Sequence, residues 1–127
     1  MDIAIKKWIE IAESDFQDGI VLLDSKRYSG ALFHFQQAVE KILKAHCFIN
    51  TGDIPPKSHD LLNLLDCAKL NRDEIDLNSL KDLSLSYVRL RYPDLDQTYY
   101  AHKDKILKII NFAQEFFLWT KKQLLQS

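Results

Sequence analysis

Apolar residues recur along this chain with a helical step almost from end to end. Ile5, Ile9, Ala12, Phe16, Ile20 and Leu23 are spaced by three or four positions, with Trp8 beside them. That stripe predicts a first helix with one buried face. Gly19 within it reads either as a local weakness or as a point where another helix approaches closely. Ser25 to Ser29 reads as a turn, and Ser29 is the expected cap of a second helix. This helix should bury Ala31, Leu32, Phe35, Ala38, Val39, Ile42, Ala45 and Ile49, and stop at Asn50-Thr51-Gly52, where glycine accepts the left-handed closing conformation.

Pro55-Pro56 forces an extended link, after which Ser58 should begin a short third helix through Leu61, Leu62, Leu64, Leu65 and Ala68. The polar run Asn71-Arg72-Asp73-Glu74 leads to Asn78, the expected cap of a fourth helix carrying Leu80, Leu83, Tyr87 and Leu90. Pro93 closes that helix, because the residue before a proline avoids helical geometry. A loop with Asp94 and Asp96 precedes what reads as the longest helix, striped by Ile106, Ile109, Ile110, Ala113, Phe116, Phe117 and Leu124, with Trp119 on its flank. No strand pattern, repeat or low-complexity linker intervenes. The fold class is all-α: one domain over residues 1–127, an up-and-down antiparallel bundle of five helices.

Composition narrows the function classes. With 17 Lys+Arg against 18 Asp+Glu, a broad electrostatic grip on nucleic acid is excluded, although a local basic patch is not. No run of about 18 apolar residues exists, so no membrane span is expected. The N-terminal MDIAIKKWIEIAESDF mixes acids into its apolar positions, unlike a signal peptide, and a cytoplasmic location is the expectation. Cys47 and Cys67 form no CxxC pair and read as buried free thiols.

Most catalytic patterns are missing. Three scattered glycines build no phosphate loop, and neither HExxH nor a Glu-x-x-His pair occurs, so neither a cofactor nor a metal is expected. His46 beside Cys47 is no exception, since adjacent helix positions point about 100° apart. His34 falls at the edge of its apolar stripe, as a packed or solvent-facing residue or as a catalytic one. His46 is expected exposed, and His59, after Ser58, is explained by structural capping by its neighbours at the start of the third helix. His102 is a solvated residue of the last helix or a partner of the arginines that precede it. Arg89, Arg91, Tyr92 and Asp94 are the candidate nucleotide or RNA site, because arginine grips phosphate with a planar fork and tyrosine offers a face to a base. The alternative is that an arginine pairs with Asp94 or Asp96 and pins the loop.

Three blocks, Ala31-Leu32-Phe33-His34-Phe35-Gln36-Gln37-Ala38-Val39-Glu40-Lys41-Ile42-Leu43-Lys44-Ala45, Ser58-His59-Asp60-Leu61 and Arg91-Tyr92-Pro93-Asp94, together resemble the HEPN family of small helical domains, in the family's order. The resemblance covers about the length of one such domain and implies a homodimer with a cleft between protomers. It further implies binding of nucleotide or RNA, often beside a minimal nucleotidyltransferase in a toxin–antitoxin pair. Many family members are metal-independent ribonucleases with a histidine four to six residues after an arginine. Arg91 matches that arginine, but Leu95-Asp96-Gln97-Thr98 fills the histidine's window, and Arg89 fares no better. The first histidine thereafter is His102. A binding domain is therefore the first expectation. A ribonuclease using Arg91, with His102 or an acid such as Asp96, is the second, and a structural adaptor the third.

Overall fold

The computed structural model describes residues 2–92 and 103–125. It is an all-α bundle of five helices: α1 (Ile3–Asp24), α2 (Tyr28–Thr51), α3 (Leu61–Ala68), α4 (Leu77–Arg91) and α5 (Lys103–Leu125). A 3-10 turn at Arg72–Glu74, capped by Asn71, lies between α3 and α4. α2 has 24 residues and α5 has 23, so the second helix rather than the last is the longest described. It is also the hub, packing against each of the other four.

The core is the one the apolar stripes predict. Ala31, Leu32, Phe35, Ala38, Val39, Ile42 and Ala45 of α2 are fully buried, as are Leu61, Leu64 and Leu65 of α3, Leu80 and Leu83 of α4, and Ile110 and Ala113 of α5. Ile49 departs from its stripe and is exposed, lying in the final turn of α2 where the chain leaves the bundle. Phe16 of α1 stacks on Phe117 of α5 at 4.5 Å and meets Phe35 edge-on at 5.4 Å. Gly19 is the close approach: a Cβ there would lie 2.7 Å from the Phe35 ring.

The helix ends differ from expectation by one to three residues. Lys26, with φ 60°, turns the chain in a single step, so α2 starts at Tyr28 and the Arg27 carbonyl, not the Ser29 hydroxyl, anchors its first turn. Ser58 accepts a bond from Asp60 N instead of capping, and Asp60 caps α3 through Leu62 N at 2.9 Å. Asp76 takes the place expected for Asn78, accepting from both the amide and the hydroxyl of Ser79. These bonds hold its carboxyl below the usual carboxylate range. At α3 and α4 a carboxylate, the stronger acceptor, holds the cap. Gly52 closes α2 with φ 72°, as expected. α4 ends at Arg91 with Tyr92 as its C-cap; Pro93 lies outside the described residues.

Both cysteines are free; Cys47 is buried and Cys67 only half-buried. Burial, reinforced by the neighbouring Cys67, pushes the Cys47 thiol up, so it stays protonated and donates to the Leu64 carbonyl at 3.4 Å. Among the described residues, no helix is long and apolar enough to cross a membrane.

Candidate functional site

Arg91 is exposed in the last turn of α4, and two aromatic rings hold it. Its guanidinium carbon lies 4.2 Å from the centre of Tyr87, one turn earlier on the same helix, and 5.6 Å from Phe33 of α2. Tyr87 also carries a second load. The His59 ring stacks on it at 4.1 Å and 15°. His59 in turn places Nδ1 2.9 Å from the Glu40 carboxylate. Glu40 is only 3% exposed, and its other oxygen accepts from the Lys44 ammonium at 3.3 Å, one turn on. Lys44 lies over the Trp8 ring of α1 at 5.6 Å.

The result is a continuous ladder, Phe33–Arg91–Tyr87–His59–Glu40–Lys44, drawn from α2, the 52–60 link and α4. It places a cation at the surface and anchors it to a buried carboxylate. Gln36 belongs to the same face of α2, one turn before Glu40; it is fully buried, and its Nε2 has no hydrogen-bond partner among the described residues. A buried amide left so costs about 1–3 kcal/mol, so this face is not packed for stability alone.

The structure separates residues that the sequence placed together. Arg89 and Arg91 project about 200° apart on α4, and Arg89 is half-buried while Arg91 is exposed, so they do not form one fork. Tyr92 is 55% exposed at the helix cap and its ring is open, whereas Tyr87 has its ring taken by His59 and Arg91. Asp94 and His102, with Asp96, Tyr99 and Tyr100, lie outside the described residues.

One histidine contradicts its expected setting. His46 is buried, because its Nε2 reaches across to the Thr120 carbonyl of α5 at 2.9 Å, and burial lowers its pKa against the opposing pull of that bond. His59 stands beside the α3 cap Asp60, as expected of its neighbours, and its own ring belongs to the ladder. His34 is half-buried at the α1–α2 edge, where Nδ1 meets Asp15 at 3.1 Å. Asp15, Asp18 and His34 bring three donor atoms within 4.8 Å of one another, but Lys41 already sits 2.6 Å from Asp15 and balances its charge. Sequence reading missed Glu40, Lys44, Phe33, Tyr87 and His59 as site residues. The available signal was a carboxylate at position 40 between buried Val39 and Ile42, where an unpaired charge cannot sit.

The three sequence blocks that carry the family resemblance thus meet at one place: Glu40 from the first, His59 from the second and Arg91 from the third. The HEPN domain family model matches residues 5–124, nearly the whole chain. The chain belongs to the HEPN domain family. Neither a curated protein nor a solved structure matches it. Within this HEPN domain a cavity of about 520 Å³, lined by Asp76, Asp82, Lys105 and Lys108, lies at the other end of α4 from Arg91.

Proposed function

We propose that this HEPN domain binds nucleotide or RNA through the Arg91 guanidinium. The observation that carries this reading is the ladder beneath Arg91: its planar guanidinium lies against Tyr87 and near Phe33, which reduces the rotamer freedom to be lost on binding a phosphate. Tyr92, exposed one residue on, supplies a face for a base. Arg89, named with them from the sequence, lies in the same last turn of α4 but projects away from Arg91.

The domain acts as a homodimer. Leu85, Val88 and Tyr92 are all exposed and recur at spacings of three and four along α4, an apolar stripe that runs to the Arg91 end and suits a second copy. The family resemblance supports a setting beside a minimal nucleotidyltransferase, as one half of a toxin–antitoxin-like pair in the cytoplasm. Adenine and guanine nucleotides and short RNAs should raise the melting temperature of the wild type by mass action. Arg91→Ala should weaken binding about 10- to 100-fold, the cost of one charge-assisted pair. An unchanged affinity in Arg91→Ala, or no shift with any nucleotide or RNA, refutes the reading.

The alternative reading is a ribonuclease built on Arg91. One observation favours it: a histidine other than His102 stands on the same tyrosine as Arg91.

A further inference from the structure

We infer that α5 and the segment leading into α4 form a second binding site, one for an aliphatic polyamine. It lies beside the first turn of α4, whereas Arg91 is in the last, and it is independent of what Arg91 binds. The site is a cavity of about 330 Å³, within the roughly 300–1,000 Å³ of small-ligand pockets. Phe112, Phe116, Trp119 and Glu115 of α5 line it, and the 3-10 turn and the cap of α4 contribute Glu74 and Asp76.

The sequence of α5 builds the apolar part. Positions 112, 116 and 119 are separated by four and three residues and so share one face of the helix. Glu115, three after the first ring and four before the last, lies on that face too. The rings lie in nearly parallel planes, Phe112 and Phe116 at 5.6 Å and 17°, Phe116 and Trp119 at 5.9 Å and 29°. They form a strip along the helix. Phe112 and Trp119 are only half-buried, so the strip rests on the core and still borders the cavity.

The charge at the cavity has one sign. Among the described residues three carboxylates line it, and no lysine, arginine or histidine does. Asp76 is engaged by Ser79 and also borders the neighbouring cavity of Lys105 and Lys108. Glu74 and Glu115 are exposed, and among the described residues neither is held in an ion pair. Aromatic faces carry negative potential of their own, so rings and carboxylates reinforce each other. The cavity repels phosphate and attracts a cation.

The lining also selects the kind of cation. A hydrated metal ion gains nothing from apolar rings and needs oxygen ligands converging on one point, whereas a cation with a hydrocarbon body gains by leaving water there. Rings set along a strip suit an extended molecule, while a compact quaternary ammonium suits rings set around it. Carboxylates from two elements reward N–H donors, which a quaternary ammonium lacks and a polyamine carries at both ends. Methylenes over the rings and ammonium ends on Glu74 and Glu115 satisfy all three conditions.

The test titrates spermidine at fixed ionic strength into the full chain carrying Trp8→Phe, which leaves Trp119 as its one tryptophan. Emission should change and saturate with one molecule bound, and spermidine should raise the melting temperature of the unaltered chain by mass action. Glu74→Gln and Glu115→Gln replace exposed acids and should fold as wild type does. Each should weaken spermidine about three- to tenfold, and the two together about 10- to 50-fold. Magnesium chloride and tetramethylammonium chloride at matched ionic strength should bind at least about tenfold more weakly than spermidine. A response that does not saturate, an affinity unchanged in the double variant, or magnesium binding as tightly would reduce the effect to charge screening and overturn the site. Tighter binding of tetramethylammonium or of a lysine-rich peptide overturns the assignment to a polyamine.

Discussion

The two sides of α2 obey opposite rules. Towards α1 and α5 the helix presents Phe35, Ala38, Ile42 and Ala45, all fully buried, with glycine at position 19 letting the Phe35 ring lie against the α1 backbone. On its polar side it presents Gln36, Glu40 and Lys44, which are buried almost as deeply; Glu40 meets His59 of the 52–60 link, and Lys44 lies over Trp8 at the α1 edge. The first side gains stability from apolar area and dispersion. The second must offset the desolvation of a carboxylate and an ammonium with the hydrogen bonds they make. A helix needing only to fold would place leucines there. Polar groups held in a core at such a cost make this the candidate functional side.

The sharpest way to break this contrast is on the dry side. Phe35→Ala removes a ring that touches Phe16 and fills the space above Gly19, and neither neighbour can collapse into the gap. A loss of about 3–5 kcal/mol in urea unfolding is expected. Arg91 binding, where the protein still folds, should survive, because Phe35 belongs to the other side of the helix. A loss below about 1 kcal/mol would mean the α1–α2 interface is looser than its contacts imply.

On the polar side the expected signature is non-additivity. Lys44→Met strands the Glu40 carboxylate with only His59 as partner and should cost about 3 kcal/mol, the lower end for breaking a buried pair. Glu40→Leu combined with Lys44→Met replaces both charges by apolar groups of similar size. Stability should then return to near the wild-type value or exceed it, while function at Arg91 is lost because His59 has no anchor. Additive losses in the double variant would show that this face is built for stability, and the distinction between the two sides would fail.

How much of this was readable beforehand follows the same division. The apolar side was legible because period and burial are local properties: Ile5, Phe16, Phe35, Ile110 and Phe117 announce themselves by spacing alone. The helix boundaries drifted, since Asp60 and Asp76 compete with Ser58 and Asn78 for the same caps and only the backbone path decides between them. The polar ladder was not legible. Glu40, His59 and Tyr87 are separated by 19 and 28 positions, and no spacing rule links residues on different helices. The blocks of family resemblance contained Glu40, His59 and Arg91 but gave no account of why they belong together. Arg91 was singled out together with Arg89, which helix geometry turns away from it.

His46 gives the smallest effect and the cleanest sign, because it is a polar residue stranded on the dry side. Its Nε2–H donates to the Thr120 carbonyl, and burial lowers its pKa below the 6.5 of an unburied histidine. The unfolded chain therefore binds a proton more readily than the folded one between that lowered value and 6.5. By linkage, stability rises with pH across this window; it is fully present above 6.5 and is lost as pH falls through the window. His46→Leu removes the titrating group while keeping an apolar filling, so its melting temperature should decline less than that of wild type on acidification. Carboxylates common to both proteins cancel in the difference. Equal slopes in wild type and His46→Leu would mean that His46 becomes charged as readily inside the bundle as outside it, and that the dry side is wetter than its packing indicates.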